Sequence, residues 1–131
     1  MIVDSSAIVA ILLDEPERAA FEPLIKTAPM AAMAAPNHLE SAMVLVSRRG
    51  PSITGQLDAL LVEMNIDILP FSHAHALAAR DAFMRYGKGR HAAGLNFGEC
   101  IAYAVAKVED HPLLFKGGDF HLTDVEAALA R

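Results

Sequence analysis

The residues that decide the fold stand at the beginning of the chain, in the stretch MIVDSSAIVAILL (Met1–Leu13). Met1–Val3 is a short apolar run that predicts a buried strand ending at Asp4. Ala7–Leu13 is a second apolar run, and it predicts a helix that follows the strand almost at once. A buried strand that leads directly into a helix is typical of a parallel sheet covered by helices on both faces.

The same alternation continues along the chain. Further buried strands are predicted at Met30–Ala35, Ile66–Leu69 and Leu113–Phe115, and the charged stretch from Asp14 to Lys26 predicts a helix. Apolar residues at helical spacing predict four more helices, with the stripes Leu39, Ala42, Met43 and Val46; Leu57, Leu60, Leu61 and Met64; Ala76, Ala79, Phe83 and Tyr86; Ile101, Ala104, Val105 and Val108. The Leu57 stripe fits either an internal helix or a partner surface. Because no repeat or linker interrupts this order, we expect one α/β domain over residues 1–131, with a short central parallel sheet flanked by helices.

Length and composition exclude several classes of protein. A chain of 131 residues has the size of one domain, and 53% hydrophobic residues provide a core that a disordered chain lacks. The formal net charge of −5 argues against a uniformly basic nucleic-acid binder. A single cysteine, Cys100, fits a reducing compartment, and neither a signal peptide nor a membrane span is evident. We therefore expect a cytoplasmic protein with no membrane association.

Four acidic residues stand at predicted helix starts: Asp4, Glu40, Glu99 and Asp119. Each has a simple structural explanation as a helix cap, because Asp is a common N-cap and because Asn37-x-x-Glu40 and Asn96-x-x-Glu99 resemble capping boxes. Together they favour a site, since the carboxyl ends of parallel strands and the following helix starts share one edge of the sheet. Four carboxylates without a His or Cys cluster suit one or two Mg²⁺ or Mn²⁺ ions, and such a site supports phosphoryl transfer.

Three sequence blocks give the chain a recognisable pattern: Ile2-Val3-Asp4-Ser5-Ser6-Ala7, Leu95-Asn96-Phe97-Gly98-Glu99-Cys100, and Leu113–Asp119 continuing into Phe120 and Thr123-Asp124-Val125. In these blocks the chain resembles PIN-domain proteins of the VapC group, which are ribonuclease toxins of bacterial type II toxin–antitoxin systems. The resemblance extends over nearly the whole chain in length and element order, and it is weakest between residues 50 and 90.

The resemblance implies a PIN-like α/β/α fold and a Mg²⁺- or Mn²⁺-dependent endoribonuclease that hydrolyses RNA. It also implies a homodimer and inhibition by a VapB-type antitoxin. By position, Asp4, Glu40, Glu99 and Asp119 match the acidic quartet of the family, which implies catalytic and metal-binding roles for them. Two more residues match its supporting positions: Ser6 and Asn96.

Two positions depart from the family pattern. Glu99 stands where the family has Asp, and Gly118 stands where it often has Asn or Asp. The extra methylene of Glu99 extends the reach of its carboxylate, whereas Mg²⁺ requires near-ideal octahedral geometry. An alternative function follows from this departure, namely a PIN-like module that binds RNA or an antitoxin without cutting.

Basic residues are concentrated in one predicted helix and the loop after it: Arg80, Arg85, Lys88, Arg90 and His91. They form either an ordinary solvated surface or a rim that binds the RNA backbone. A receiver-type signalling domain is a competing interpretation, but its phospho-acceptor candidate, Asp58, lies inside a helical stripe. A phosphatase with an Asp-x-Asp nucleophile is excluded because Asp4 is followed by two serines.

Overall fold

A computed structural model describes residues 1–130. Four parallel strands form the sheet in the order β3-β2-β1-β4: β1 (Ile2–Val3), β2 (Ala31–Ala34), β3 (Ile66–Leu69) and β4 (Leu113–Leu114). Six α-helices and one short 3-10 helix (Asp119–Leu122) connect and follow them: α1 (Ser5–Leu12), α2 (Arg18–Thr27), α3 (Ala35–Arg49), α4 (Ile53–Glu63), α5 (His73–Tyr86) and α6 (Phe97–Val108). The predicted α/β/α arrangement with a parallel sheet is confirmed.

The sheet is buried on both faces, as its short apolar strands predict. Val3 contacts the hydrophobic core beneath α1 to α4, whereas its neighbour Ile2 belongs to the core on the opposite face, with α5 and α6. Successive residues of a strand point to opposite faces, so this one strand contributes to both cores. The Leu57 stripe is buried in the first core, which assigns it to internal packing.

The sheet order fixes where a site can form. The chain adds β2 and β3 on one side of β1 and then crosses to place β4 on the other side. In open parallel sheets a crevice forms at such a switch point, beyond the carboxyl ends of the two strands. Asp4 directly follows β1, and the segment leading to Asp119 follows β4.

One predicted boundary was wrong in a way that affects the site. The strand expected over Met30–Ala35 ends at Ala34, and α3 begins at Ala35, with Pro36 in its first turn. Proline fits the first turn of a helix because its missing N–H has no partner there in any case. Asn37 therefore lies inside the helix instead of capping it.

Candidate metal centre

A cleft of about 300 Å³ opens at the carboxyl end of β1. It is bordered by the beginning of α1, one face of α3, the beginning of α6 and the segment after β4. Its lining residues are Asp4, Ser5, Ser6, Val9, Glu15, Glu40, Val44, Arg48, Asn96, Glu99 and Lys116. Three of the four predicted acidic residues thus share one cleft.

Asp4 lies at the bottom of the cleft and is 3% exposed. Its Oδ2 accepts hydrogen bonds from the Ser6 backbone N–H at 3.1 Å and from the Ser6 hydroxyl at 2.5 Å, so Asp4 does cap α1. Its Oδ1 is buried and has no hydrogen-bond partner among residues 1–130. The pKa of Asp4 is raised to about 6, first by burial and also by the neighbouring charge of Glu40, while the hydrogen bonds from Ser6 oppose the rise.

Ser6 links Asp4 to the segment that follows β4. Its hydroxyl donates to Asp4 Oδ2 and accepts a hydrogen bond of 3.0 Å from the backbone N–H of Lys116. The hydroxyl group expected at this position is therefore placed to hold one Asp4 oxygen and leave the other free.

Glu40 lies on α3, where its Oε1 accepts a hydrogen bond of 2.7 Å from the Ser5 hydroxyl. Asn37, one turn earlier on α3, is 1% exposed and places its Nδ2 3.4 Å from the same oxygen. Asn37 Nδ2 also donates to the carbonyl oxygen of Gly98 on α6, at 3.0 Å. The capping explanation is wrong for Asn37 and Glu40, since α3 has no side-chain cap and the asparagine connects two helices.

Glu99 occupies the first turn of α6 and forms a complete capping box with Asn96. Its Oε1 accepts from the Asn96 backbone N–H at 3.0 Å, and its own N–H donates to Asn96 Oδ1 at 2.9 Å. The pKa of Glu99 is raised, first by burial and then by the charges of Asp119, Asp4 and Glu40. The longer side chain at this position therefore both caps α6 and faces the cleft.

Asp119 begins the 3-10 helix after β4, is exposed and does not line the cleft. Its charge still raises the pKa of Glu99. The 3-10 helix has no side-chain cap, so the capping explanation is wrong for Asp119 as well.

The cleft offers the donor chemistry of a hard divalent cation. Asp4 Oδ1 is a buried carboxylate oxygen without a partner, and an unpaired buried polar group is costly unless something binds it. Within residues 1–130 no three His, Cys, Asp or Glu side chains converge closely enough to enclose an ion. Mg²⁺ does not require such an enclosure, because it is commonly bound by one or two carboxylates and keeps several waters.

The basic residues of the cleft are not those singled out from the sequence. Arg80 lines an apolar groove, and Arg85 lies 3.6 Å from Asp124 and stacks over the Tyr86 ring. None of the five basic residues predicted for the rim lines the cleft. The cleft instead contains Arg48 and Lys116. Lys116 Nζ pairs with Glu15 at 2.8 Å and Glu17 at 3.5 Å.

Arg48 was missed although its position follows a simple pattern. Glu40, Val44 and Arg48 are spaced by four residues and all line the cleft from α3. Among the described residues the Arg48 side chain makes neither a salt bridge nor a hydrogen bond. Ser5 and Asn37 were missed too; their roles depend on contacts far along the chain, which local spacing does not reveal.

Comparison with known proteins agrees with this architecture. The PIN domain family model matches residues 1–126. The chain is 46% identical over 127 residues to Ribonuclease VapC of Mycolicibacterium smegmatis, covering 97% of this chain and 98% of that protein.

Solved structures share the fold as well. VapC20 of Mycobacterium tuberculosis, described as a sarcin-ricin loop cleaving toxin, matches with a TM-score of 0.77 and 15% identity over 95% of both chains. A toxin–antitoxin complex from Klebsiella pneumoniae matches with a TM-score of 0.64 and 18% identity, covering 91% of this chain and 88% of its own. Because a close sequence match and the same sheet architecture both extend over nearly the entire chain, this protein belongs to the VapC group of the PIN domain family.

Proposed function

We propose that this protein is a divalent-metal-dependent endoribonuclease toxin of a type II toxin–antitoxin system. The observation that carries the proposal is the free, buried Oδ1 of Asp4 in a cleft that also contains Glu40 and Glu99. The VapC ribonucleases related to this chain support RNA as the substrate. The reaction is hydrolysis of an RNA phosphodiester bond.

Asp4, whose Oδ1 is unpaired, would hold one or two Mg²⁺ or Mn²⁺ ions together with Glu40, Glu99 and Asp119. When bound, the metal lowers the pKa of a coordinated water and stabilises negative charge on the phosphate. The pKa values of Asp4 and Glu99 are raised mainly by burial and further by neighbouring carboxylates, and a bound cation would offset that repulsion.

Three polar residues of the cleft hold these carboxylates in place. Ser6 holds Asp4 through Oδ2, Ser5 holds Glu40, and Asn96 holds Glu99. Arg48, on the same face of α3 as Glu40, is positioned to contact an RNA phosphate next to the scissile one. The predicted rim of Arg80, Arg85, Lys88 and Arg90 remains a second proposal for more distant phosphates.

The test of this function is a cleavage assay on purified, antitoxin-free protein. We expect RNA to be cut with Mn²⁺ or Mg²⁺ and to remain intact when a chelator removes the metal. The Glu99→Asp variant tests the alternative of a binding module. If the wild type binds RNA without cutting it while Glu99→Asp cuts, the alternative is correct.

We further propose that the protein acts in the cytoplasm as a homodimer and is silenced by a VapB-type antitoxin. Among residues 1–130 no helix combines the length and the apolar character that crossing a membrane requires. The toxin–antitoxin complex with the same fold supports an antitoxin partner. Light scattering of the purified protein tests the dimer, for which we expect twice the mass of one chain.

An exposed apolar groove next to the cleft is the surface we propose for the antitoxin. Three apolar side chains that line the groove are exposed: Phe97 at 84%, Leu39 at 60% and Met43 at 61%. The groove shares Glu40 and Val44 with the cleft, so an occupant would obstruct the acidic residues, as inhibition requires. Co-expression of Phe97→Glu with a cognate VapB-type antitoxin should lose the complex that the wild type forms; a complex retained at wild-type yield would contradict this surface.

A further inference from the structure

Gly98 has no evident backbone reason to be glycine. It is the second residue of α6 and does not belong to the glycines with positive φ. In a helix, alanine is more favourable than glycine because glycine loses more backbone entropy on folding. A glycine in regular helical conformation therefore calls for another explanation.

The space around Gly98 provides that explanation. A Cβ atom at this position would overlap the Glu40 carboxylate, lying 2.6 Å from Oε1, 2.7 Å from Cδ and closer still to Oε2. These atoms are the end of a flexible side chain, so an alanine could be accommodated by moving Glu40 away. A side chain at position 98 would therefore displace the Glu40 carboxylate without disrupting the fold.

Three elements converge on that carboxylate. Ser5 of α1 donates to Oε1 at 2.7 Å, Asn37 of α3 lies 3.4 Å from it, and the Cα of Gly98 in α6 lies against it. Asn37 also fixes the distance between α3 and α6 through its 3.0 Å hydrogen bond to the Gly98 carbonyl oxygen. Because Asn37 is buried, this connection is shielded from water.

We propose that Gly98 is a positioning residue that, together with Asn37, keeps the Glu40 carboxylate directed toward Asp4 in the metal site. The inference rests on the proposed function for its consequence, since a displaced Glu40 would no longer serve the metal. The contacts support this direction, because Ser5, which donates to Glu40 Oε1 at 2.7 Å, directly follows Asp4, and both carboxylates line the same cleft.

The test compares Gly98→Ala with Gly55→Ala. Gly55 lies in the first turn of α4, where a Cβ would meet no atom within 4 Å, so its substitution is a matched control. We expect Gly98→Ala to fold with a melting temperature close to that of the wild type but to bind Mn²⁺ at least tenfold more weakly by calorimetry. Gly55→Ala should bind Mn²⁺ as the wild type does. If the wild type binds Mn²⁺ and Gly98→Ala binds it with equal affinity, the proposal is overturned.

A rescue variant separates positioning from general damage. Glu40→Asp shortens the side chain by one methylene and makes room for the alanine methyl group. We expect Gly98→Ala combined with Glu40→Asp to recover part of the lost Mn²⁺ affinity, although Glu40→Asp alone weakens binding. If the double variant binds more weakly than both single variants, overlap at Gly98 is not the cause.

A crystal structure of metal-free Gly98→Ala distinguishes failure of this inference from failure of the proposed function. The inference requires loss of the hydrogen bond between Glu40 and Ser5. If the Glu40 carboxylate has not moved in Gly98→Ala, the inference is overturned even if the wild type cleaves RNA. A displaced carboxylate supports the positioning role, and a wild type that neither binds Mn²⁺ nor cuts RNA then overturns only the proposed function.

Discussion

Asp4 is held through one oxygen, Oδ2, and the other oxygen is buried without a partner. The sequence predicted a helix cap or a metal ligand at this position, and the structure allows both because the cap uses only Oδ2 and leaves Oδ1 unpaired. Glu99 has the same double character, since it completes a capping box and lines the cleft. Capping and site formation were therefore not true alternatives for these two residues.

The raised pKa of Asp4 predicts a pH-dependent stability. Because burial raises this pKa from 3.8 to about 6, the folded chain retains a proton between about pH 4 and pH 6 that the unfolded chain has released. The unfolding free energy of metal-free protein should fall as the pH rises through this window, by up to about 3 kcal/mol from this group. This contribution should be missing from the unfolding free energy of Asp4→Asn, measured by urea unfolding in the presence of a chelator. If that free energy depends on pH in Asp4→Asn as it does in the wild type, the raised pKa does not belong to Asp4.

Substitution of Glu99 by Gln should separate its two roles. Glutamine can still accept the hydrogen bond from the Asn96 backbone N–H, so the cap of α6 and the thermal stability should be retained. The lost charge should reduce metal-dependent RNA cleavage at least about tenfold, or about 1.4 kcal/mol in activation free energy. Cleavage at the wild-type rate would assign Glu99 to capping alone.

At the level of elements, most helices and strands could be predicted because their apolar spacing is local. The strand Ile66–Leu69 has the predicted bounds, and each of the other strands is shorter by one residue at one end or at both. The beginning of α3 could not be predicted correctly from Asn37, because Pro36 enters the first turn and moves the asparagine inside. Its hydrogen bond reaches across 61 residues to Gly98, and no local pattern encodes such a partner.

The exposed face of α3 leads to a prediction about RNA binding. In an Asp4→Asn background, which prevents cleavage, Arg48→Ala should weaken RNA binding and reduce the slope of log affinity against log salt by about 0.7 for the lost phosphate contact. Arg49→Ala is the matched control, since Arg49 has the same charge but does not line the cleft.

Filter binding over a range of salt concentrations measures both effects. If Arg48→Ala and Arg49→Ala lose the same amount of RNA affinity, Arg48 contributes only through the net charge of the protein. A larger loss for charge reversal at Arg85 and Lys88 would place the RNA on the basic rim predicted from the sequence.

At the level of the whole molecule, the order β3-β2-β1-β4 explains how distant acidic residues come together. Asp4 follows β1 and Asp119 comes soon after β4, on either side of the switch point, while α3 and α6 supply Glu40 and Glu99 from the same edge. The sequence predicted this edge because parallel strands share their carboxyl ends. It did not predict that Asp119 would lie outside the cleft, which depends on the path of an exposed turn.

The net charge of −5 does not exclude RNA binding, because charge is unevenly distributed over the molecule. Asp4, Glu15, Glu40 and Glu99 line one cleft at the switch point. Arg48 lies at the same cleft without an ion-pair partner among the described residues. Bound divalent cations would neutralise part of the negative charge at this location. An acidic protein can therefore carry a local surface that accepts an RNA phosphate.

The most direct test of the account is the single-turnover rate of RNA cleavage in Mn²⁺ by the wild type and by Asp4→Asn, with the folding of both checked by thermal unfolding. Asparagine preserves the size of the side chain and can still accept the Ser6 hydrogen bonds, but it removes the buried negative charge. We predict that Asp4→Asn is folded and cleaves at least about 100-fold more slowly, equivalent to about 2.7 kcal/mol. Equal rates for the two proteins would contradict the assignment of the metal site to this cleft.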